Sequence, residues 1–175
     1  MNIFCTSTDP VVSAQELCDQ HCRSKMQIES AILLQHCFSN ETLKSAPPTQ
    51  KGTPRKSGKG YFNHPCSVWT RESEANFMWL VEHALEMFNE RDYRWPSSSK
   101  HFTKTFIEWC KDNVDKTAHC KGTKLTQFAV AINPESKCKT VPGFEKMSVQ
   151  EKYQHYIKHD KDFATWTARS KPSWY

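Results

Sequence analysis

Three polar residues spaced four apart form the part of the sequence best suited to chemistry. The stretch from Cys18 to Glu29 reads C-D-Q-H-C-R-S-K-M-Q-I-E, and its flanks predict a helix. On a helix His21, Lys25 and Glu29 share one face, because residues four apart are neighbours, within a stripe roughly 80° wide. An imidazole, an ammonium and a carboxylate in one row can supply an acid or base, an anion-binding cation and a general base.

The alternative interpretation of this row is the exposed face of an amphipathic helix. Against it, Ile28, Ile32 and Leu33 lie beside the row, which places Glu29 near the edge of the core. A carboxylate there needs a partner or a shifted pKa, and such groups concentrate at functional sites. We therefore predict that Glu29, His21 and Lys25 are catalytic.

A second group of polar residues surrounds the start of the next predicted helix. Asn63-His64-Pro65 precedes that helix, and Arg71 and Asn76 follow within it. A histidine at a helix N-terminus lies where free backbone N–H groups favour anions. His64 as a turn residue, and Arg71 paired with a neighbouring glutamate at the surface, remain open alternatives. Cations around one carboxylate favour a phosphate-bearing substrate, so these four residues are predicted to bind phosphate or substrate.

Composition limits the class of protein. A chain of 175 residues favours a single domain, 1–175. The net charge of +5 is compatible with a polyanionic partner but also with many soluble proteins. There is no apolar run near the roughly 20 residues that span a bilayer. The N-terminus also lacks the features of a secretory signal. We expect an intracellular protein, in the host cytoplasm, with no membrane contact.

The eight cysteines are expected to stay as thiols, because disulfides are rare inside cells. No C-x-x-C pair occurs, so the spacing does not favour zinc. Neither a metal nor a cofactor is predicted.

Periodicity predicts a mostly α fold, a compact helical bundle. One helix should run from Asp9-Pro10 to about Phe38, bent or broken near Cys22–Ser24. Further helices are predicted over about 66–91, around Phe106, and from the capping box Ser148–Glu151 to about Ala168. The segment 125–132 fits either a strand or a helix.

The stretch 44–60 contains three prolines, three glycines and five basic residues but no acidic one. This composition predicts a flexible basic loop, which is either a solvated insertion or an arm that follows a nucleic-acid backbone. The predicted nucleic-acid contacts are Lys51, Arg55, Lys56, Lys59 and Trp174. Trp69 is a further candidate for stacking on a base, although core packing is the favoured explanation for it.

These features resemble the pyrimidine-dimer DNA glycosylases of the endonuclease V type, small all-α repair enzymes of phages and viruses. The resemblance lies in D-Q-H at 19–21, an acidic residue two turns later, a long helix after a basic loop, and the closing K-P-S-W-Y. It implies the glycosylase fold and a DNA glycosylase/AP lyase. The family's nucleophile is the α-amino group exposed when Met is removed, assisted by a glutamate that would here be Glu29. In this chain the interval from His21 to Glu29 is one residue longer. Asn2 is too large for efficient Met removal, so the amine would belong to Met1.

The sequence also resembles a wider set of phage proteins through M-N-I-F, C-D-Q-H, K-M and N-H-P-C-S-V-W-T-R-E-S. These are identified with the amino acid:DNA transferases, the second clade of the alpha-glutamyl/putrescinyl thymine pyrophosphorylases. That resemblance implies that an amine displaces phosphate or pyrophosphate from an activated 5-hydroxymethyl-uracil, which gives hypermodified thymidine. The partners would be double-stranded DNA carrying modified pyrimidines and a free amino acid or amine.

In the transferase interpretation, Glu29 is the general base for the incoming amine. Lys25, His64 and Arg71 stabilise the departing phosphate, and His21 orients or protonates. The target base would be flipped out of the duplex. We expect the transferase, with the glycosylase/AP lyase as the alternative. A basic DNA-binding protein without enzymatic activity, acting in host takeover, is a third hypothesis.

Overall fold

Six α-helices joined by short 3-10 turns and irregular segments make up the fold, given by a computed structural model that describes residues 1–97 and 101–175. The helices are α1 (Pro10–Glu16), α2 (Met26–Gln35), α3 (Pro65–Glu72), α4 (Glu74–Arg94), α5 (Lys104–Asp112) and α6 (Val149–Asp160). Within the described ranges the β structure is one isolated bridge between Ser73 and Gly122. The predicted mostly α class is confirmed.

The first helix begins as predicted but ends early. The Asp9 side chain caps α1 by accepting hydrogen bonds from the N–H groups of Val11 and Val12 at 2.8 and 3.0 Å. The predicted bend or break near Cys22–Ser24 lies earlier in the chain, because α1 stops at Glu16, and the helical stretch ends with α2 at Gln35, close to the predicted Phe38. The Arg94 guanidinium stabilises the break by donating to the carbonyl oxygens of Gln15 and Leu17, both at 2.9 Å.

A π-helix over His21–Lys25 leads into α2. A π turn takes up one more residue than an α turn, so it rotates the side chains that follow. Gln27 is fully buried, with its amide donating to the carbonyl oxygens of Cys22 and Met87. Ile28 is 44% exposed. Its predicted place on the apolar side of the helix is therefore wrong.

The predicted helix over 66–91 is two helices. Ser73 is extended between α3 and α4, and its side chain caps α4 by accepting from the N–H of Asn76 at 3.0 Å. The N–H of Glu74 donates to the Gly122 carbonyl at 2.7 Å, and the Gly122 N–H donates to the Glu72 carbonyl at 2.9 Å. A Cβ on residue 122 would lie 2.9 Å from that Glu72 oxygen, so the close approach requires glycine.

Helix α4 packs against α1, α2, α3 and α5 and carries much of the core. Half of the largest fully buried side chains in the described part of the chain are aromatic, among them Phe38, Trp69, Phe77, Phe106 and Tyr153. No helix in the described part of the chain has the length and apolar character needed to span a membrane.

The capping box at the start of α6 is confirmed, since Ser148 and Glu151 exchange side-chain and backbone hydrogen bonds. The helix ends at Asp160, however, and not near Ala168. Tyr153 on α6 donates its hydroxyl to the Ala129 carbonyl and accepts from the Ala131 N–H, both at 3.0 Å. These bonds hold the segment 125–132 as irregular backbone, neither the strand nor the helix that its pattern allowed.

His83 on α4 is a buried histidine that should make the fold acid-sensitive. It is 1% exposed and stacks on Trp79 at 4.8 Å between ring centroids. Among the described residues neither ring nitrogen has a hydrogen-bond partner. Burial lowers the pKa of His83 to about 3 from the ordinary 6.5. The unfolded chain therefore binds this proton below pH 6.5 while the folded chain does not, and stability is lost as pH falls from 6.5 towards 3.

We expect His83→Leu to reduce this loss by about 1.4 kcal/mol per pH unit below 6.5. Urea unfolding at pH 7 and at pH 5 measures the free energy of unfolding of the two proteins. Relative to the wild type, the free energy of unfolding of the variant should rise by about 2 kcal/mol from pH 7 to pH 5. His159→Leu, at an exposed position of α6, is the control. Equal pH dependence of the two variants would contradict the assignment.

Candidate active site

A pocket of about 210 Å³ opens where the N-terminal segment, the π-helix, the start of α2 and the end of α6 meet. The catalytic residues predicted from the sequence, His21, Lys25 and Glu29, all line it. Met1, Asn2, Phe4, Tyr156, Lys161 and Phe163 also line it. The structure thus gathers a carboxylate, several cations and three aromatic rings around one opening.

The Glu29 carboxylate is held by the N-terminal segment. Its Oε2 accepts a hydrogen bond from the Asn2 N–H at 2.9 Å and lies 3.8 Å from the α-ammonium of Met1. Its Oε1 lies 4.0 Å from the Lys25 Nζ. The Glu29 side chain is 15% exposed and the Lys25 side chain 70%. Glu29 is therefore a fixed anion at the pocket, and the lysine beside it is solvated.

Asn2 is a site residue that the sequence did not indicate. It is 7% exposed, its Nδ2 donates to the Ala131 carbonyl at 3.0 Å, and its Oδ1 accepts from the Ile3 N–H at 2.9 Å. These bonds orient the Asn2 backbone so that its N–H meets Glu29. The partners lie 27 and 129 positions away in the sequence, so no local pattern could reveal the contact.

His21 is buried and neutral. It is 4% exposed, and its ring stacks on Phe4 with 4.2 Å between centroids. Burial, with added repulsion from Lys161 and Lys25, lowers the pKa of His21 to about 3. At neutral pH the ring is therefore uncharged, and the predicted role of His21 in protonating a substrate does not fit this environment.

The Cys18 thiol lies against the ring of His21. Its Sγ is 3.5 Å from Nδ1 of His21, and burial raises the pKa of the thiol. A protonated thiol can donate to Nδ1, and its sulfur can also accept from an Nδ1–H, so the contact is compatible with either tautomer of the ring. His21 is therefore a neutral hydrogen-bonding group at the pocket.

Phe4 lines the pocket in a strained conformation. Its φ is 54°, in the left-handed region that a bulky residue rarely adopts. It stacks on Tyr156 as well as on His21, with 5.8 Å between the tyrosine and phenylalanine centroids. Backbone strain of this kind costs about 1–3 kcal/mol and clusters at functional sites.

Lys161, Tyr156 and Phe163 form the opposite wall and were missed by the sequence reasoning. The Lys161 Nζ lies 3.1 Å from the Tyr156 hydroxyl and 4.5 Å from the centre of that ring. Phe163 is 46% exposed although it lines the pocket. Phe163 lies beyond the end of α6 at Asp160, and not within a helix that runs to about Ala168 as predicted.

Two residues predicted to bind phosphate are not at the pocket. Arg71 lies 3.6 Å over the ring of Phe62 and donates to the Phe62 carbonyl at 2.7 Å. Asn76 is fully buried, where its Nδ2 donates to the Trp69 carbonyl and to the Thr126 hydroxyl, both at 2.7 Å. Arg71 is committed to a local contact and Asn76 to the core.

His64 lies near the pocket without lining it. Its Nδ1 caps α3 by accepting from the Cys66 N–H at 3.2 Å. Partial burial lowers the pKa of His64, and the Met1 ammonium adds to this while Glu29 opposes it. Asn63, its exposed neighbour, ends the 3-10 turn Tyr61–Asn63.

The predicted nucleic-acid contacts have different environments. Lys51, Lys56 and Lys59 are exposed. Arg55 is 8% exposed, lies 3.7 Å over the ring of Phe106 and donates to the Pro47 carbonyl at 3.0 Å, so its guanidinium is not presented to solvent.

The two tryptophans considered for DNA contact also differ. Trp174 is partly buried and packs against the core with its neighbour Tyr175. Trp69 is 2% exposed and stacks on Phe128 at 4.8 Å, which leaves it no face for a base.

Within residues 1–97 and 101–175, no three His, Cys, Asp or Glu side chains are grouped so that they could hold a metal ion. Comparisons of the chain with protein-family models, curated proteins and solved structures gave no match.

Proposed function

We propose that this protein is a DNA-modifying transferase that attaches an amino acid or amine to an activated 5-hydroxymethyl-uracil in DNA, giving hypermodified thymidine. The activated group is a phosphate or pyrophosphate ester on the methylene carbon. The observation that carries the proposal is the fixed Glu29 carboxylate, flanked by cations in a pocket with aromatic walls.

The aromatic walls suit a flipped base. Phe4, Tyr156 and Phe163 line the pocket, and ring faces are sequence-tolerant stacking surfaces for a base taken out of the duplex. A neutral imidazole carries one N–H, which can donate to a carbonyl oxygen of a pyrimidine. Because His21 is neutral, its role in this proposal is to orient the base.

In the proposed reaction the amine nitrogen attacks the methylene carbon, and the bond from that carbon to the ester oxygen breaks. The electron pair leaves with phosphate or pyrophosphate, and the proton of the amine goes to Glu29. A carboxylate is suited to this role when it is held in place beside the nucleophile. The Asn2 N–H donates a hydrogen bond to Oε2 of Glu29, whereas Oε1 lies on the side of Lys25.

The leaving group needs positive charge. Lys25, Lys161 and the Met1 ammonium line the pocket and can stabilise the departing oxygens. In this proposal Lys161 takes the place that the sequence reasoning gave to Arg71, whereas His64 lies outside the pocket lining and its lowered pKa disfavours a positive charge. The exposed Lys51, Lys56 and Lys59 would contact the DNA backbone in the host cytoplasm.

The π-helix supports the resemblance to the pyrimidine-dimer glycosylases, on which the proposed fold type and the second candidate function rest. The interval from His21 to Glu29 is one residue longer than in the pyrimidine-dimer glycosylases, and a π turn accommodates one extra residue in a helix. His21 and Glu29 can thus keep the relative placement of the shorter family spacing. We propose on this basis that the helical bundle is of the glycosylase type.

The direct test is mass spectrometry of nucleosides. DNA that carries phosphorylated or pyrophosphorylated 5-hydroxymethyl-uracil is incubated with the protein and a mixture of amino acids and polyamines, then digested. We expect a new nucleoside whose mass equals thymidine substituted on its methyl carbon by one amine from the mixture. DNA with unactivated 5-hydroxymethyl-uracil is the control. Absence of any new nucleoside with the activated DNA would remove the proposal.

A second candidate function, DNA glycosylase/AP lyase, is favoured by the 3.8 Å separation between the Met1 α-ammonium and Glu29. An amine beside a carboxylate can form an imine with C1′ of an abasic or damaged nucleotide. Borohydride would reduce that imine to a stable protein–DNA adduct at Met1. An adduct with abasic or dimer-containing DNA, together with no amine transfer, would select the lyase.

A further inference from the structure

Cys37 and Cys120 lie side by side although they are far apart in sequence. Cys37 follows α2, and its carbonyl oxygen accepts hydrogen bonds from the N–H groups of Ala118 and His119 at 2.8 and 3.2 Å. The Sγ atoms of Cys37 and Cys120 approach the same Thr70 carbonyl oxygen, at 3.8 and 3.7 Å. The two thiols are close enough for each to shift the pKa of the other. Backbone hydrogen bonds thus join the segments that carry Cys37 and Cys120 in a position that brings the two sulfurs together.

The two thiols have different reactivity. A hydrogen bond from Cys37 lowers the pKa of Cys120, and Thr117 and the positive charge of Arg71 add to this against burial and Glu74. Burial raises the pKa of Cys37, which is fully inaccessible. Cys120 is partly exposed. Arg71, which does not line the pocket, therefore has its electrostatic effect on this thiol pair.

We propose that Cys120 and Cys37 are a reversible redox pair, in which Cys120 reacts with small disulfides and Cys37 resolves the adduct. The Cys120 thiolate attacks one sulfur of oxidised glutathione, and one glutathione thiolate leaves. Cys37 gives up its proton to solvent and attacks the Cys120 sulfur of the mixed disulfide, which releases the second glutathione. The protein loses two electrons and two protons, and one glutathione disulfide becomes two thiols.

The other cysteines provide a built-in comparison. Burial raises the pKa of Cys5, Cys22 and Cys66 to about 12, so none of them shares the lowered pKa that favours the first attack by Cys120. Cys110 is also fully buried and is one of the groups that raise the pKa of Cys37, which makes it the competing partner.

The test incubates the reduced, folded full-length chain with oxidised glutathione, followed by acid quenching, alkylation and tryptic mass spectrometry. Trypsin separates Cys37 (26–44), Cys110 (105–111) and Cys120 (117–121) into different peptides. We expect a disulfide that links the first and third of these peptides, with the other six cysteines alkylated. A lasting glutathione adduct, a bond from Cys37 to Cys110, or no oxidation of Cys120 would each overturn the proposal.

Two matched variants separate a reactive pair from mere proximity. In Cys37→Ala the Cys120 thiolate loses a donor, whereas Cys37→Ser keeps a hydroxyl in the same place. We expect iodoacetamide to alkylate Cys120 more slowly in the alanine variant, by about threefold per unit of pKa, since the higher nucleophilicity of the less acidic thiol offsets part of the tenfold loss of thiolate. With oxidised glutathione both variants should stop at the mixed disulfide. Equal alkylation rates in the two variants would contradict the hydrogen-bonded thiolate.

The oxidised wild type should also unfold at a Tm higher by roughly 5–10 °C, because the bond closes a long loop. Cys110→Ser should show the same rise. A Tm that does not increase after oxidation would argue against a bond that fits the folded chain.

Discussion

Glu29→Gln is expected to lower the rate of amine transfer to activated DNA by roughly 10²- to 10⁴-fold. The amide oxygen can still accept the Asn2 N–H that now binds Oε2, so the pocket should keep its shape. The amide cannot take a proton from the attacking amine, however, and it removes the negative charge that lies near Lys25 and the Met1 ammonium. Single-turnover assays with saturating DNA measure the loss as a change in the chemical step.

The matched control is Glu41→Gln. The Glu41 side chain is 80% exposed, pairs with the exposed Lys44, and does not line the pocket, so the transfer rate should stay within about twofold of the wild type. DNA affinity should be unchanged or slightly higher in Glu29→Gln, because a negative charge has been removed. Full transfer activity in Glu29→Gln would show that the carboxylate is not the base. If Glu29→Gln and Glu41→Gln both keep the biological function while neither catalyses amine transfer, the hypothesis of a DNA-binding protein without enzymatic activity would be favoured.

Local patterns in the sequence identified the starts of helices well. Asp9-Pro10 and Ser148–Glu151 carry their caps within three residues, and both helices begin where these signals lie. The ends and breaks depend on distant residues. The break after Glu16 is held by Arg94, and the break at Ser73 by Gly122, so neither could be inferred from the local pattern.

In the candidate site, too, residues of one local segment could be predicted from the sequence, whereas residues from distant segments could not. His21, Lys25 and Glu29 line one pocket, as their spacing predicted, although the segment begins as a π-helix and continues as an α-helix. Residues from other segments could not be placed by spacing. Lys161 reaches the pocket because α6 ends early, and Arg71 lies away from it on the ring of Phe62.

Arg94→Met is expected to destabilise the fold by about 3–5 kcal/mol, the usual cost of breaking a buried ion pair from one side. The Arg94 side chain is inaccessible and contacts Glu90 at 2.9 Å and Asp19 at 3.2 Å. It also donates to the carbonyl oxygens that end α1. Methionine fills a similar volume but satisfies none of these acceptors. Urea unfolding monitored by tryptophan fluorescence measures the change.

The destabilisation caused by Arg94→Met should affect the candidate site as well as the core. Asp19 precedes the π-helix and accepts hydrogen bonds from the Thr165 hydroxyl at 2.9 Å and the Thr167 N–H at 2.9 Å. It therefore ties the segment after Phe163 to the segment that carries His21, which form two walls of the pocket. Without Arg94, Asp19 loses its ion pair with α4. The rate of amine transfer by Arg94→Met should therefore fall even at temperatures where the variant is folded.

Arg169→Met is the matched control, because Arg169 binds the same Glu90 from a position whose side chain is 34% exposed. Solvent screens that pair, so its loss should cost about 1 kcal/mol or less. The double variant Arg94→Met with Glu90→Leu removes both buried charges and should recover part of the stability lost in Arg94→Met alone. If Arg94→Met and Arg169→Met proved equally mild, the buried network would not be what holds the end of α1 and the pocket walls together.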